Sequence, residues 1–551
     1  MQGGARNLRL LAGAVVLGAV LLVAAACARV PLATSLRGVD ERSSGPRAAF
    51  DALRGDGGVA TVTNLSEGPT AWAARWQGIA AATETIDASY FIVEEDVFGV
   101  AFLGHLYARA LAGLKVRLII DAHGNIPMTG GIGGRDYLQE LSRVGVEVHV
   151  FNPPFPQALK ALATGSLIPM AAGTHNKTLV FDDRTAITGG RNIAAPYFVP
   201  WTQHPGAFVD LDLLLQGTGS ASALRASVTN ELRASEGGDV WPELVDVIPR
   251  GDELLLVQHA MDAWLNGRVS LLPADQAVLE LEESALTTFK SRPSSRIRAR
   301  ARVWLEELVR YTALWGTARS TLVPDVTAEV RVVSARSRAL DNDDIVNASV
   351  VRCIGGAQRN VVIETPYFVL TPRLLAVLQE ASARGVTINV MTNSPVSSDN
   401  DVPQSLFVGA VPELLARIPT LRLFVPKNGQ TLHLKRIIVD DELTLVGTYN
   451  FDPFSMHLNS ETVVGVWSDV FNRSSRQEAD ARITQAFEYR VQRDSAGRVH
   501  RYPEGHPYAG QVVMVFGPRD HVSAERLAEL ADVKELMMSV RNMFDFDVVT
   551  W

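Results

Sequence analysis

A motif that occurs twice constrains this chain more than any other feature of its sequence. The pattern H-x-K-x4-D-x6-G-x2-N starts at His175 and again at His433. A chance match to five fixed positions is expected at well under about one in a million positions, so two matches in one chain indicate a real repeat. The repeat predicts a chain built from two related halves, each of which contributes one copy of the motif.

The spacing within each copy predicts a strand followed by a hairpin. The fixed positions are His175, Lys177, Asp182, Gly189 and Asn192 in the first copy, and His433, Lys435, Asp440, Gly447 and Asn450 in the second. Side chains two apart on a strand point to the same face, so each histidine and its lysine can reach one ligand. The aspartate then ends the strand, and a returning strand carries the glycine and the asparagine. We therefore expect each asparagine to lie near the histidine and the lysine of its own copy.

Apolar runs alternate with helical patterns in the same order ahead of each copy. Strands are predicted over residues 86–93, 116–121 and 146–151 in the first half, and over 361–367, 386–392 and 421–425 in the second. Helices are predicted over 70–85, 99–113, 131–144, 349–354 and 374–384. This alternation is typical of an α/β protein with a largely buried sheet. The predicted fold class is α/β, with two similar halves, each a mixed and mostly buried sheet flanked by helices, sharing one active site at their interface.

Length and composition predict a domain organisation and disfavour one class of partner. A chain of 551 residues is too long for one ordinary core, and its 47% hydrophobic and 20% charged content is typical of a globular protein. We expect a signal peptide (1–26), a linker (27–58), a first half (59–235), a helical insertion (236–325), a second half (326–495) and a C-terminal tail (496–551). The net charge of −8 provides no general basic surface, which disfavours a nucleic-acid partner.

The N-terminus has the pattern of an export signal. Arg6 and Arg9 precede an apolar run that ends in small residues just before Cys27. This order is typical of a secretory signal peptide, and a cysteine at that point resembles a bacterial lipoprotein signal in which Cys27 is lipidated. The alternatives are a plain signal with an incidental cysteine or an ordinary N-terminal anchor. The other cysteine, Cys353, is predicted to be a buried small apolar residue.

The residue types of the motif suit phosphodiester chemistry. Two lysines and two asparagines can hold the non-bridging oxygens and stabilise charge in the transition state. One neutral imidazole can attack phosphorus while the other, protonated, gives its proton to the departing oxygen. The sequence has no cluster with metal-ligand spacing, so we predict no metal and no cofactor, with the positive charge supplied by lysine.

The paired motifs resemble the HKD motifs of the phospholipase D superfamily. The resemblance covers residues 60–235 and 326–480. It implies that His175 forms a phosphohistidine intermediate and that His433 protonates the leaving group, although the residues alone leave that order open. It also implies that two downstream carboxylates, Glu461 and Asp210, orient the histidines, with the pairing left open. Asp182 and Asp440, with Gly189 and Gly447, are interpreted as structural.

Several further segments resemble the bacterial cardiolipin synthase branch of that superfamily. They are Gly189-Gly190-Arg191-Asn192-Ile193 with Tyr197-Phe198, Thr365-Pro366-Tyr367-Phe368-Val369, Thr392-Asn393-Ser394 with Asp399, and Asn450-Phe451-Asp452-Pro453 with Ser455. This resemblance implies a phosphatidyltransferase that uses phosphatidylglycerol as acceptor, with phosphatidylethanolamine as a further candidate substrate. A phospholipase D that releases phosphatidic acid, and a nuclease or other phosphodiesterase, remain alternatives. A non-catalytic binding protein is disfavoured because both motifs are intact.

The remaining expectations concern location and assembly. Cardiolipin synthases of one type carry two N-terminal membrane helices, whereas this chain has a single cleavable-looking signal. That difference favours an exported protein tethered to a membrane surface on the periplasmic side of the bacterial envelope. Since one chain carries both motifs, the protein is predicted to act as a monomer.

Overall fold

The architecture comes from a computed structural model. The residues that the structure describes are 43–125, 132–153, 157–159, 161, 171–234, 249–337, 344–544 and 548–549. The predicted signal peptide and Cys27 lie outside them. Within the described ranges, no helix is both long enough and apolar enough to cross a membrane.

The first half is an α/β unit with a helical addition. Its strands are β1 (Asp56–Leu65), β2 (Thr85–Tyr90), β3 (Lys115–Asp121), β4 (Glu147–Phe151), β5 (Lys177–Phe181), β6 (Thr185–Gly189) and β7 (Asp212–Gln216). Its helices are α1 (Pro46–Asp51), α2 (Gly68–Ala81), α3 (Val97–Leu111), α4 (Ile132–Arg143), α5 (Ala195–Phe198) and α6 (Thr218–Ala234). The insertion follows as α7 (Gly251–Leu265), α8 (Ala274–Leu286) and α9 (Ser295–Leu308), which pack against α3 and enlarge the core of this half.

The second half repeats the same order of elements. Its strands are β8 (Val326–Ala335), β9 (Asn360–Glu364), β10 (Thr387–Met391), β11 (Leu421–Pro426), β12 (Arg436–Val439), β13 (Leu443–Gly447) and β14 (Glu461–Trp467), then β15 (Ala486–Val491) and β16 (Met514–Phe516). Its helices are α10 (Ile345–Gly355), α11 (Pro372–Ala383), α12 (Asp401–Arg417), α13 (Pro453–His457), α14 (Asp469–Thr484) and α15 (Ala524–Phe544).

All of these strands form one continuous sheet. The first half runs β1-β7-β6-β5-β2-β3-β4, the second runs β8-β14-β13-β12-β9-β10-β11, and β15 and β16 extend the second edge. The halves meet where β1 and β8 pair antiparallel, with Val59 opposite Glu329. Because β1 and β8 are the inner strands of matching sheets, the two halves are related by an approximate twofold arrangement about this pair. The predicted α/β class with two similar halves is confirmed.

Local chemistry explains why the elements begin and end where they do. The apolar β3 is buried between β2 and β4, which pair with it in parallel. Asp96 begins α3 by accepting hydrogen bonds from the backbone N–H groups of Phe98 and Gly99, as an N-cap residue does. A cluster of apolar side chains from both halves, including Leu213, Val330 and Val464, lies beneath the central strands and joins the two units.

Each motif hairpin turns on two aspartates in the left-handed backbone region. Asp182 and Asp183 have φ angles of 50° and 54°, and Asp440 and Asp441 have 55° and 60°. Aspartate tolerates this conformation better than most residues. The Asp440 carboxylate accepts hydrogen bonds from three successive backbone N–H groups at residues 358–360, at 2.7, 2.7 and 2.9 Å. Asp182 accepts from the N–H groups of residues 83–85 in the same way. Both motif aspartates therefore fasten a hairpin to the loop before the neighbouring strand.

Three expectations need correction. The linker predicted over 27–58 is wrong in its described part, because Ala49 and Phe50 of α1 are fully buried in the second-half core. The segment predicted as a C-terminal tail over 496–551 contains β16 and α15, and α15 packs on α12 of the second half. The motif histidines were expected on strands together with their lysines, yet β5 begins at Lys177 and β12 begins at Arg436. The backbone before each of these strands pairs with the opposite half instead.

The hairpin aspartates provide a test of the fold. Asp440→Ala leaves three backbone donors without their acceptor, and we expect it to lower the free energy of unfolding by about 2–4 kcal/mol, measured by urea denaturation. Asp441→Ala is the matched control, because its φ angle is similar while its side chain is 36% exposed and makes surface contacts. We expect a loss under about 1 kcal/mol there. Equal losses in the two variants would contradict the role given to Asp440.

Candidate active site

The two halves are joined by a pair of crosswise backbone contacts next to the motif histidines. The N–H of His175 donates to the carbonyl of Ser460 at 3.1 Å, and the N–H of Ser460 donates to the carbonyl of Gly173 at 3.0 Å. At the equivalent place in the other half, the N–H of His433 donates to the carbonyl of Val209 at 2.7 Å. Each motif histidine is therefore held beside the residue that precedes a carboxylate of the opposite half.

The carboxylates follow this crosswise order. Nδ1 of His175 lies 3.0 and 3.2 Å from the two carboxylate oxygens of Glu461. Nδ1 of His433 lies 2.7 Å from Oδ2 of Asp210. The structure thus brings together both predicted carboxylates and both histidines, and it answers which carboxylate serves which histidine. All four side chains are buried.

These contacts decide which ring nitrogen is available for chemistry. An ionised carboxylate only accepts hydrogen bonds, so Nδ1 of each histidine carries the proton that it donates. Nε2 of a neutral ring then keeps its lone pair, and Nε2 of a protonated ring has a hydrogen to give. The carboxylate fixes the tautomer and the orientation of the ring, as in other histidine–carboxylate pairs.

Aromatic rings flank both histidines. Phe91 meets the ring of His175 edge to face at a centroid distance of 5.2 Å. Phe208 stacks on His433 at 5.4 Å, and Tyr197 contacts the same ring edge to face at 5.3 Å. These rings limit the movement of the imidazoles and exclude water from their sides.

The two lysines lie beside their histidines. Nζ of Lys177 donates to the carbonyl of His175 at 2.8 Å and lies 5.4 Å from the ring centroid of Phe91. Nζ of Lys435 lies 2.9 Å from Nδ1 and 3.2 Å from Nε2 of His433. Burial and the proximity of Lys435 lower the pKa of Lys177 to about 7. Burial also lowers the pKa of Lys435, to about 8. Two buried ammonium groups this close favour an anion between them.

The histidines respond to the same environment. Burial lowers the pKa of His175 to about 4, against the opposing effect of Glu461 and with a further decrease from Lys177. Burial and Lys435 lower the pKa of His433, against the effect of Asp210. Burial acts to raise the pKa of Asp210, but the charges of His433 and Lys435 outweigh it and lower the pKa. A neutral His175 near pH 7 has the lone pair that a nucleophile needs.

The structure shows two hydrogen bonds for one motif asparagine and a buried oxygen without a described donor for the other. Asn192 accepts a hydrogen bond from the N–H of Ile92 at 3.1 Å and donates to the hydroxyl of Tyr197 at 2.8 Å, so neither bond reaches the motif residues of its own copy. Through Tyr197, it lies instead beside the ring of His433. Oδ1 of Asn450 is buried, and no described atom donates to it.

The motif glycines allow close approach of neighbouring chains. A Cβ at Gly189 would lie 2.4 Å from Oδ1 of Asp212, and one at Gly447 would lie 2.1 Å from the carbonyl oxygen of Thr462. A Cβ at Gly190 would lie 2.0 Å from Oδ1 of Asp210. The equivalent position in the second half is Thr448, whose hydroxyl donates to Glu461.

Sequence reasoning assigned no role in the site to several supporting residues. Oδ2 of Asp121 accepts from the N–H of Thr174 at 2.8 Å, and Oδ1 of Asn393 accepts from the N–H of Leu432 at 2.9 Å. Both acceptors lie at the carboxyl ends of equivalent strands, since Asp121 is the last residue of β3 and Asn393 comes two residues after β10, so an alignment of the two halves by strand ends could have found them. Thr448 and Phe208 have no such local signal, because their role depends on contacts between segments far apart in the chain.

Comparison with known proteins agrees with this geometry. The family described as "Cardiolipin synthase, PLD-like domain" matches residues 76–201 and 350–486. Cardiolipin synthase C of Escherichia coli is 25% identical over 426 residues, covering 72% of this chain and 79% of that protein. The major cardiolipin synthase ClsA of Bacillus subtilis is 22% identical, covering 75% of this chain and 67% of its own length. The crystal structure of phosphatidylserine synthase from Haemophilus influenzae matches 90% of this chain and 98% of that one, with a TM-score of 0.54 and 14% identity, which shows the same fold.

The buried lysines give a prediction about stability. Lys177→Met removes one of two neighbouring buried cations, and we expect the free energy of unfolding in anion-free buffer to rise by about 1–2 kcal/mol, measured by urea denaturation. The folded-state pKa of Lys177, about 7, lies below the ordinary 10.5, so the unfolded chain binds more protons between those values. The advantage of the variant should therefore be full below pH 7 and shrink towards pH 10.5.

The matched control for this variant is Lys290→Met, at an exposed position of the insertion. It should change stability by less than about 0.5 kcal/mol at any pH in that range. Inorganic phosphate should raise the melting temperature of the unmodified protein and of this control more than that of Lys177→Met. A Lys177→Met protein that is less stable than the unmodified chain at pH 6 would contradict the repulsion inferred here.

Proposed function

The chain belongs to the phospholipase D superfamily, and we propose that it is a phosphatidyltransferase of the cardiolipin synthase type. The observation that carries the proposal is the single site built from two halves, in which two carboxylate-bound imidazoles and two lysines are buried together. A phosphodiester anion suits this arrangement, because the lysines neutralise its charge while one imidazole attacks phosphorus and the other protonates the departing oxygen.

The proposed reaction proceeds in two displacements. Nε2 of His175 attacks the phosphorus of a phosphatidylglycerol donor, the bond from phosphorus to the glycerol oxygen breaks, and His433 gives its proton to that oxygen. Glycerol leaves, and the phosphatidyl group remains on His175 as a phosphohistidine. A hydroxyl of a second phosphatidylglycerol then gives its proton to His433 and attacks phosphorus, which releases cardiolipin and restores His175.

The proposed reaction requires His433 to be protonated when the substrate is bound. The pKa of His433 is lowered in the ligand-free site, because the imidazolium would be buried next to Lys435. A phosphodiester anion bound between the lysines offsets that repulsion and raises the proton affinity of the ring. Substrate binding would therefore prepare the acid while Glu461 keeps His175 in the tautomer that can attack.

The lipid substrate is supported by the segments that resemble cardiolipin synthases. Tyr197 contacts the ring of His433, and the hydroxyl of Tyr367 donates to Asp399 at 2.9 Å. The charge of Asp399 in turn acts on His433 and Lys435. Three segments that are distant in the sequence thus surround the proposed acid, where the headgroup of the donor would leave and the acceptor would enter.

Hydrolysis of the same intermediate is the main alternative to this proposal. Water in place of the acceptor hydroxyl would release phosphatidic acid, so a wetter site would act as a phospholipase D.

We further propose that Cys27 is lipidated and holds the enzyme at a membrane surface on the periplasmic side, where its substrates lie. This tether is independent of the chemistry, and a soluble chain starting after Cys27 should keep its activity on lipid–detergent micelles.

The substrate is tested by incubating the purified protein with phosphatidylglycerol, alone and together with phosphatidylethanolamine, and separating the lipid products. We expect cardiolipin and free glycerol from phosphatidylglycerol alone. Phosphatidic acid as the main product would identify a hydrolase. Cleavage of DNA with no change to either lipid would contradict the lipid substrate altogether.

The roles of the two histidines are tested with a donor labelled in its phosphate. His175→Ala should abolish the covalent phosphoenzyme, since it removes the proposed nucleophile while His433 has the role of the acid. His433→Ala should lower turnover by about 10²–10⁴-fold because the acid and base are lost, while labelled enzyme accumulates from a donor with a good leaving group. His500→Ala, at an exposed position, is the control. Full activity of His175→Ala would show that the roles are assigned wrongly.

A further inference from the structure

A buried carboxylate on α6 gathers the residues on either side of the proposed nucleophile. Oε1 of Glu231 accepts hydrogen bonds from the hydroxyl of Thr174 at 2.7 Å, the amide of Asn176 at 2.7 Å and the hydroxyl of Ser460 at 2.5 Å. Oε2 accepts from the hydroxyl of Ser89 on β2 at 2.9 Å. Thr174 and Asn176 flank His175 in the chain, and Ser460 precedes Glu461.

The cluster continues across the boundary between the halves. Oδ1 of Asn176 accepts a hydrogen bond from the hydroxyl of Thr462 at 2.8 Å, and that hydroxyl lies 3.0 Å from the hydroxyl of Ser334 on β8. Glu231, Thr174, Asn176, Ser460 and Thr462 are all buried. A single carboxylate thereby connects the segment that carries His175 with the segment that carries Glu461.

The second half shows that the fold does not require this cluster. Strand pairing aligns Thr174 with Leu432, Asn176 with Leu434 and Ser460 with Val209, and the matching starts of α6 and α14 align Glu231 with Arg482. The side chains of Leu432, Leu434 and Val209 are apolar, and Arg482 turns to Glu364 at 2.6 Å. A cavity of about 470 Å³ is lined by these four residues on the His433 side.

The same backbone arrangement is therefore built once with a carboxylate that binds the motif segment, and once with apolar side chains beside the motif and an arginine that turns away to the buried Glu364. The bridge between Thr174 and Ser460 and the bridge between Leu432 and Val209 form equally in both cases. The two sets of side chains also differ in the histidine that they support. The polar cluster lies behind His175, which forms a bond to phosphorus, and the cavity lies behind His433, which only moves a proton.

We propose that Glu231 is a positioning residue that holds His175 and Glu461 in fixed relation for the attack on phosphorus. This inference rests on the function proposed above. A nucleophile has to keep its lone pair aligned with phosphorus through bond formation, so small displacements are costly. A proton donor tolerates more freedom, because a proton can be delivered over a range of hydrogen-bond geometries.

Glu231→Gln is a sharp probe of this role. The carboxylate accepts at both oxygens, whereas an amide presents two hydrogens on one side. With its oxygen towards the motif side, the amide still accepts there and donates to the hydroxyl of Ser89, but the hydrogen bonds lose the negative charge of their acceptor and become weaker. The volume is unchanged, so the substitution disturbs the orientation of the cluster and creates no cavity.

The experiment compares two donors that differ in their need for an acid. Phosphatidylglycerol requires protonation of its leaving oxygen, whereas phosphatidyl-4-nitrophenol releases a stable phenolate that does not. With the nitrophenyl donor, the burst of 4-nitrophenolate reports the attack by His175. We expect Glu231→Gln to slow the burst by about 10–100-fold and to slow cardiolipin formation similarly, with KM nearly unchanged. Asp210→Asn, on the acid side, should slow the reaction of phosphatidylglycerol but have a much smaller effect on the burst.

Further variants separate positioning from a loss of folding. Ser460→Ala and Thr174→Val each remove one donor to Oε1 and should cause smaller losses of burst rate. Combined with Glu231→Gln, they should add little. Glu306→Gln, exposed on α9, is the control that should leave both rates unchanged. Melting temperatures identify any variant that fails to fold.

The outcomes distinguish this inference from the proposed function. A Glu231→Gln protein that folds and gives a full burst would overturn the positioning role while leaving the transferase intact. A loss on phosphatidylglycerol alone would overturn it too, because the defect would then lie in proton transfer. An unmodified protein that gives no burst and no cardiolipin would refute the proposed function itself.

Discussion

The arrangement of this enzyme depends on the crosswise bond between each motif histidine and a carboxylate of the other half. His175 is held by Glu461, and His433 is held by Asp210. Neither half contains a histidine together with the carboxylate that orients it. The β1–β8 pair, the shared apolar cluster beneath it and the backbone bridges beside the motifs all serve to keep these two bonds in register.

The two histidine–carboxylate bonds also lower the energetic cost of burying the charged groups of the site together. Two ammonium groups, two imidazoles and two carboxylates are buried within reach of one another, and each carboxylate lowers the cost of the cations around it. Burial still lowers the pKa of both lysines against the effect of these carboxylates, so the ammonium groups would gain from one more anion. An incoming phosphodiester supplies the missing anion. Affinity for the substrate and strain in the empty site are thus two results of one electrostatic imbalance.

Much of this design could be predicted from sequence, where the signal is local or repeated. The motif spacing and the alternation of apolar runs predicted the two halves and most strand positions to within a few residues. The backbone around His175 and His433 could not be predicted, since it leaves its own strand to pair with the opposite half. The hydrogen bond from the amide of Asn192 to Tyr197, whose ring contacts His433, was not predicted either. The burial of Phe50 was not predicted, because the surrounding stretch has the composition of a linker. Glu231 has no sequence signal at all, because a single glutamate on a helix looks like any solvated residue.

The pairing of each motif histidine with a carboxylate of the opposite half affects how such a chain can evolve. An ancestral single-motif protein would need two identical copies to complete any site, so every substitution would appear on both sides of the axis at once. Once both copies share one polypeptide, each side can be altered separately. The two sides do differ in this structure, with the polar cluster of Glu231 behind His175 and the cavity behind His433. Two copies in one polypeptide can thereby keep a symmetric frame while the surroundings of the two imidazoles diverge.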